Sequence, residues 1–123
     1  METPAYVQAG REDHIAPAGS VWKLTHLFAG PVKFVLAGSG HIAGVVNHPS
    51  SGKYQYWTNP ERVETLDEFV AGATETRGSW WPDWIAWLRD RAPAMVDATG
   101  ARVPGEGALP ALADAPGEYV RAR

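Results

Sequence analysis

Two short apolar runs separated by a single helical segment are the feature that most constrains the fold of this chain. Residues 4–9 and 32–37 are predominantly apolar, and they end at Gly10 and Gly38. Such runs, closed by a chain breaker, are typical of buried strands. Residues 16–29 carry apolar side chains at spacings of three and four, which predicts a helix. A strand, a helix and a strand in this order form a βαβ unit, which belongs to a parallel sheet.

The remainder of the chain predicts helices and loops. Residues 47–60 are rich in Pro, Gly, Ser and Asn and indicate a loop, and Thr65 precedes a short helix that ends near Gly72. Residues 79–91 predict a further amphipathic helix. Because only two strands are clear, we expect the sheet to be incomplete in this chain. The predicted fold class is therefore α/β: a βαβ unit followed by helices and a tail.

That tail is distinguished by its composition. From residue 92 to residue 123, 17 of 32 residues are Ala, Gly or Pro, which predicts an extended or weakly ordered segment. Tyr119 and Val120 are the residues that could anchor its end. We predict two regions: residues 1–91, a structured α/β region, and residues 92–123, a low-complexity tail.

Charge and cysteine content exclude several classes of function. The net charge is −3, from 11 basic and 14 acidic residues, so no basic field is present for nucleic acid. The absence of cysteine excludes disulfides, cysteine-containing zinc sites and a thiol nucleophile within this chain, and it is compatible with a reducing cytoplasm. We expect no secretory leader and no membrane span, since no apolar run approaches the ~20 residues a span needs.

An acid and an imidazole follow the two predicted strands. Asp13 lies in the loop after the first strand and His41 in the loop after the second. Because the carboxyl ends of parallel strands share one edge of a sheet, these side chains are expected within hydrogen-bond reach. Asp13 would orient the imidazole and His41 would move a proton. The acid precedes the histidine, as in α/β-hydrolases, which would place the nucleophile upstream of Met1. The alternative is that both residues are solvated or cap turns.

Three other histidines are weaker candidates. His14 is the rival imidazole, but its position beside Asp13 favours a packing or supporting role. A metal site made of His14, His41, His48 and Asp13 is disfavoured because no HxH or HExxH spacing is present. His26 falls within the first helix. The Gly38–Gly40 turn lacks the lysine and the full glycine pattern of a phosphate loop.

Four tryptophans lie within eight residues, at Trp80, Trp81, Trp84 and Trp87. They are compatible with a carbohydrate-stacking platform or with a surface that docks on an apolar material. Their helical spacing favours a third interpretation, in which the indoles pack into the core of a larger domain. Trp81 points away from the main face and is expected near a surface or an interface.

Several segments together resemble one known family. The segments REDHIAP, GPVKFVLAGSGHIAGVVN, YQYWTNP and GSWWPDWIAWL, with APGEYVRAR at the end, are similar to the C-terminal end of class I poly(3-hydroxyalkanoate) synthases. The resemblance covers roughly residues 3–90 with aligned order and spacing. GHIAGVVN and GSWWPDW are its most specific parts.

The resemblance implies a cytoplasmic acyltransferase with an α/β-hydrolase-like fold, in which residues 1–91 would be the C-terminal part of the catalytic domain. Members polymerise (R)-3-hydroxyacyl groups from coenzyme A thioesters and release coenzyme A, using a Cys-His-Asp triad. By motif position Asp13 and His41 are the acid and the histidine. The implied partners are the acyl-CoA substrate, the growing polyester and the N-terminal part of the synthase. A homodimer and attachment to polyester granules are compatible with it. No dissociable cofactor and no metal are implied, since the coenzyme A thioester is a substrate.

Departures from the family pattern limit what the resemblance carries over. The cysteine elbow is missing, Ala18-Gly19 replace an aromatic residue after REDHIAP, and the segment after residue 92 is recognisable only by composition. We therefore expect a synthase fragment that is inactive alone, with an open strand edge at Tyr6-Val7 awaiting a partner strand. The alternatives are a non-enzymatic module that docks on synthase or granules, and an esterase whose upstream elbow carries Ser. The DNA upstream of Met1 would discriminate among them.

Overall fold

The computed structural model describes residues 2–103 and 105–122 and contains two units, Met1–Arg91 and Ala92–Arg123. The first unit has four strands in the order β1-β2-β3-β4 together with four short helices, so the α/β class is confirmed. The strands are β1 Ala5–Gly10, β2 Val32–Ala37, β3 Gln55–Thr58 and β4 Thr74–Arg77. The helices are α1 Ala18–Trp22, α2 Leu24–Leu27, α3 Leu66–Gly72 and α4 Trp81–Arg89.

The predicted parallel pair is present at the start of the chain. β1 and β2 run parallel with a register from Ala5 opposite Val32 to Gly10 opposite Ala37. α1 and α2 lie between them in sequence, as a βαβ unit requires. β1 lies at one edge of the sheet.

The single helix predicted over residues 16–29 is wrong in its detail, because the segment forms two short helices that meet at Lys23. The Thr25 hydroxyl donates to the Trp22 carbonyl at 2.7 Å, and the N–H of His26 bonds to the Lys23 carbonyl, one residue closer than in an α-helix. This side-chain hydrogen bond competes with the helical ladder and interrupts it. Trp22, which the apolar spacing did not select, is the buried residue of α1.

The prediction that only helices and loops follow the βαβ unit is also wrong. β3 lies within the predicted loop, and β4 follows α3 directly. Both pair antiparallel, β2 with β3 and β3 with β4, so the sheet is mixed. Four residues are too few to establish an alternating pattern, and every residue of β4 is exposed. Without an apolar face, β4 is held by its ladder hydrogen bonds, which leave no trace in hydrophobic periodicity.

The two faces of the sheet carry separate apolar clusters. On one face the helices α1 and α3 contribute Trp22 and Phe69 to a buried cluster with the strands. On the other face Trp80, which precedes α4, packs with strand residues. The first cluster is Val7, Ala9, Trp22, Phe34, Leu36, Trp57 and Phe69, and the second is Val35, Ala37, Tyr56 and Trp80.

α3 and α4 begin and end near the predicted positions. Thr65 caps α3: its hydroxyl accepts from the N–H of Glu68, and the Glu68 carboxylate accepts from the N–H of Thr65. This reciprocal capping box satisfies two backbone donors. In α4, Pro82 and Asp83 occupy the first turn.

The second unit contains two short 3-10 helices, Gly100–Arg102 and Tyr119–Arg121. Tyr119 is 77% exposed and Val120 52% exposed, and that they anchor the end of the tail stays a prediction. In the described part of the chain, no helix is both long enough and apolar enough to cross a membrane.

Candidate functional site

Two loops at the carboxyl ends of β1 and β2 are held side by side by backbone hydrogen bonds. The N–H of Arg11 donates to the carbonyl of Ala37 at 2.8 Å, and that of Glu12 donates to the carbonyl of Ser39 at 3.1 Å. These contacts continue the parallel pairing past the last ladder residues. The loops that carry Asp13 and His41 are therefore positioned by the sheet itself.

The loops approach so closely that Gly10 has little room for a side chain. A Cβ built on Gly10 would lie 3.1 Å from the Asp13 Cβ and 3.1 Å from the Ser39 carbonyl oxygen. Ser39 has a φ of 101°, in a region that non-glycine residues rarely occupy. Strained backbone of this kind persists only where its surroundings impose it, and it clusters at functional sites.

Asp13 and His41 are in direct contact. The Nδ1 atom of His41 lies 2.8 Å from the Oδ2 atom of Asp13. The other carboxylate oxygen accepts from the backbone N–H groups of Ile15 at 2.8 Å and Ala16 at 2.9 Å. The Asp13 side chain is only 6% exposed, whereas that of His41 is 45% exposed. The acid is fixed beneath the imidazole, and the imidazole reaches the surface.

The hydrogen bonds define the state of both groups. The backbone N–H of Ala16, with His41 and the N–H of Ile15, holds the pKa of the Asp13 carboxyl below its usual value, although burial opposes this shift. An ionised carboxylate only accepts, so Nδ1 of His41 carries the shared proton. In the neutral imidazole Nε2 then has its lone pair free. This arrangement can take a proton from a group placed at Nε2 and return it.

The other histidines lie outside this contact. His14 is adjacent to Asp13 in sequence and is exposed, and the packing or supporting role expected for it stays a prediction. His48 accepts from the N–H of Ser50 through Nδ1 and contacts its hydroxyl. His26 packs edge-on against Trp22. No cluster of three or more metal-ligating side chains occurs within residues 2–103 and 105–122.

The tryptophans contact the loop that carries His41, which the sequence did not predict. The Nε1–H of Trp80 donates to the carbonyl of Gly44, and the Nε1–H of Trp81 donates to that of Val45, both at 2.9 Å. Trp80 is buried, as the core interpretation predicted, whereas Trp81 is half-buried and Trp84 is 38% exposed, so within this chain that interpretation does not hold for all four indoles. Hydrophobic periodicity carries no information about residues 36 positions apart. The only sequence signal for this contact is that the four residues lie in the two specific motifs, GHIAGVVN and GSWWPDW.

A cavity of about 400 Å³ lies elsewhere in the first unit. Its lining includes Gly30, Pro31 and Val32 at the start of β2, whereas Asp13 and His41 follow the ends of β1 and β2. Trp22, Phe34 and Phe69 form its aromatic part. It is distinct from the Asp13–His41 pair.

Comparison with curated proteins gives consistent matches. The chain is 52% identical over 122 residues to the poly(3-hydroxyalkanoate) polymerase of Methylorubrum extorquens. It is 48% and 43% identical over 123 residues to the poly(3-hydroxyalkanoate) polymerase subunits PhaC of Rhizobium etli and Cupriavidus necator. The chain corresponds to a C-terminal portion of the poly(3-hydroxyalkanoate) polymerases.

The matches to these polymerases cover nearly all of this chain but little of each relative. They include 98–100% of the chain and span 19–20% of the relatives' length. No family model matches the sequence. Both the Asp13 and the His41 loops therefore lie within the stretch that is similar to the polymerases.

Proposed function

We propose that this chain supplies the acid and the histidine of a Cys-His-Asp triad in an acyltransferase that polymerises (R)-3-hydroxyacyl groups from coenzyme A thioesters. The observation that carries the proposal is the His41–Asp13 contact at 2.8 Å, with no hydrogen bond to Nε2 from the residues that the structure describes and the imidazole partly exposed. The similarity to poly(3-hydroxyalkanoate) polymerases supports the choice of reaction. The catalytic region would have an α/β-hydrolase-like fold.

The first step would transfer an acyl group to a cysteine thiol. Nε2 of His41 takes the thiol proton, and the thiolate sulfur attacks the carbonyl carbon of the thioester. A new carbon–sulfur bond forms to the enzyme, and the bond to coenzyme A breaks. The imidazolium returns its proton to the departing coenzyme A thiolate. Asp13, which stays ionised, orients the ring and stabilises the imidazolium.

Chain growth would use the same pair to move the acyl group from the enzyme thiol to a hydroxyl group. Nε2 of His41 accepts the proton of a 3-hydroxyl group, and the hydroxyl oxygen attacks the acyl carbon held as an enzyme thioester. An ester bond forms and the enzyme thiol is released with the proton. The coenzyme A thioester is the substrate, and the step uses no dissociable cofactor.

The nucleophile must come from another part of the polymerase, because this chain contains no cysteine. We expect the 123-residue chain by itself to release no coenzyme A. The rest of the polymerase would be its partner in the cytoplasm, where polyester granules and a second copy are further candidate partners.

A chimeric polymerase tests the roles of the two residues. In the Methylorubrum extorquens polymerase, this chain would replace the portion to which it is 52% identical. We expect coenzyme A release from 3-hydroxybutyryl-CoA, reduced by about 10²–10⁴-fold in Asp13→Asn and about 10³-fold or more in His41→Ala. His14→Ala is the matched control and should retain full activity, because His14 is exposed and outside the pair. Full activity in His41→Ala would refute the proposal.

A second candidate is a non-enzymatic module that docks on a polyester granule. The observation in its favour is the partly exposed apolar face of α4, where Trp84, Ile85 and Leu88 are 38–40% exposed. Granule binding by the chain, combined with full coenzyme A release in the His41→Ala chimera, would favour this candidate.

A further inference from the structure

We propose that Trp80 and Trp81 are positioning residues for His41: their indole N–H groups hold the turn that carries it, so that its imidazole stays on Asp13. We call these two indole hydrogen bonds the clamp. Its effect on catalysis rests on the function proposed above. The clamp itself follows from contacts among described residues and can be tested without activity.

The turn that follows His41 contains two hydrogen bonds of the i→i−4 type found in α-helices, but it does not continue into a helix. The N–H of Gly44 donates to the carbonyl of Gly40 at 2.8 Å, and the N–H of Val46 donates to that of Ile42 at 2.8 Å. The last carbonyls of a helical turn lack partners within it and need donors from elsewhere. The carbonyls of Gly44 and Val45 receive these donors from the two indoles.

The tryptophans are in turn fixed to the strands that position the acid and the histidine. Asp83, in the first turn of α4, accepts from the Tyr6 hydroxyl of β1 at 2.8 Å and from Lys33 of β2 at 2.7 Å. Burial and the hydrogen bond to Asp83 raise the pKa of the Tyr6 phenol, so it remains a donor. The Trp80 ring stacks on that of Tyr6, with centroids 6.0 Å apart.

Two different sets of contacts therefore fix the positions of Asp13 and His41 relative to β1 and β2. Asp13 follows β1 directly, and the turn of His41 is tied through the indoles to α4, which Asp83 ties to β1 and β2. The two indole bonds should not contribute equally. Gly44 is buried, so its carbonyl has no ready substitute donor, whereas Val45 is exposed and water can replace the indole. We expect Trp80 to be the stronger of the two.

The tautomer of His41 reports the clamp directly. Nitrogen-15 NMR of the histidine-labelled 123-residue chain is recorded at pH 8.5, two units above the ordinary imidazole pKa of about 6.5. In the unsubstituted chain we expect the Nδ1–H form to dominate. Trp80→Phe should lower the ratio of Nδ1–H to Nε2–H by about three- to tenfold, the effect of one lost hydrogen bond, and Trp81→Phe by less. Trp84→Phe is the matched control, since the Trp84 indole N–H makes no hydrogen bond found among residues 2–103 and 105–122, and it should leave the ratio unchanged.

Two further measurements keep the test decisive. If Trp80→Phe does not fold, site-specific incorporation of 3-benzothienylalanine at position 80 keeps the bicyclic shape and removes only the donor. An unchanged tautomer ratio in folded variants at both positions would overturn the clamp. In the chimeric polymerase, Trp80→Phe should lower kcat with KM unchanged. Failure of the proposed function is separate, because it appears as full activity in His41→Ala, whatever the tautomer ratio.

Discussion

At the scale of single residues, the site depends on the division of labour between the two oxygens of one carboxylate. Oδ1 of Asp13 is occupied by two backbone N–H groups, and Oδ2 is left for the imidazole of His41. The backbone thereby fixes the orientation of the carboxylate before the histidine contributes. An acid held in this way can hold an imidazole in one tautomer, which is the role of the acid in a catalytic triad.

The hydrogen bonds to Asp13 predict its titration. Because they lower its pKa in the folded chain, the stability that this carboxylate contributes is present above its ordinary pKa of about 3.9 and is lost as the pH falls through the lowered value. Carbon-13 NMR of the Asp13 carboxyl should give a midpoint below about 3.9. His41→Ala should raise the midpoint only part of the way, since Ala16 and Ile15 still donate. A midpoint of 3.9 or above in the unsubstituted chain would contradict the geometry.

Gly44 is the residue at which a small change should move the histidine. A Cβ on Gly44 would lie 2.8 Å from the Gly40 carbonyl oxygen, so the backbone must shift. In the chimeric polymerase, Gly44→Ala should reduce coenzyme A release by about tenfold or more, because misplacement of a catalytic group by 1 Å can cost about 10²-fold. Gly19→Ala in α1 is the control: its Cβ meets nothing within 4 Å, and activity should not change. Equal activity of the two variants would show that the turn tolerates displacement.

At the scale of elements, the hydrogen bonds from α4 to the strands found among the described residues go through one acidic side chain, Asp83. Asp83→Ala removes the acceptor of both Tyr6 and Lys33 and should lower the free energy of unfolding by about 1–3 kcal/mol. Asp90→Ala, just beyond the end of α4 and exposed, should change it by no more than about 0.5 kcal/mol. Urea unfolding followed by tryptophan fluorescence measures both. If Asp83→Ala is as stable as Asp90→Ala, α4 is held by its apolar contacts alone.

Some helices and strands could be predicted from the sequence and others could not. β1 and β2 were predictable because each is a short, mostly apolar run closed by a glycine, and α3 because Thr65 and Glu68 have the spacing of a capping box. β4 was not predictable, since TETR has no apolar face and owes its place to pairing with β3. The meeting of Asp13 with His41 followed from strand order. The contacts of Trp80 and Trp81 with Gly44 and Val45 arise only after the helix has docked.

At the scale of the whole molecule, the edge of the sheet at β1 has no neighbouring strand among the described residues. β1 is an edge strand, and the Gln8 Nε2 atom is buried without a hydrogen-bond partner among the described residues. Natural sheets rarely leave an edge or a buried donor in this state. The relatives are about five times longer than this chain, which leaves ample polypeptide to supply a strand and an acceptor there. We expect the cysteine to reach His41 from that additional polypeptide.

The most direct measurement is complementation in the cell-free assay of coenzyme A release from 3-hydroxybutyryl-CoA. The remaining portion of the Methylorubrum extorquens polymerase, about four-fifths of its length, is expressed alone, with this chain, and with its His41→Ala variant. We predict release with the unsubstituted chain, about 10³-fold less release with the variant, and none from the remaining portion alone. Release by this chain alone, or equal release with His41→Ala, would contradict the assignment of Asp13 and His41 to a triad whose cysteine lies elsewhere.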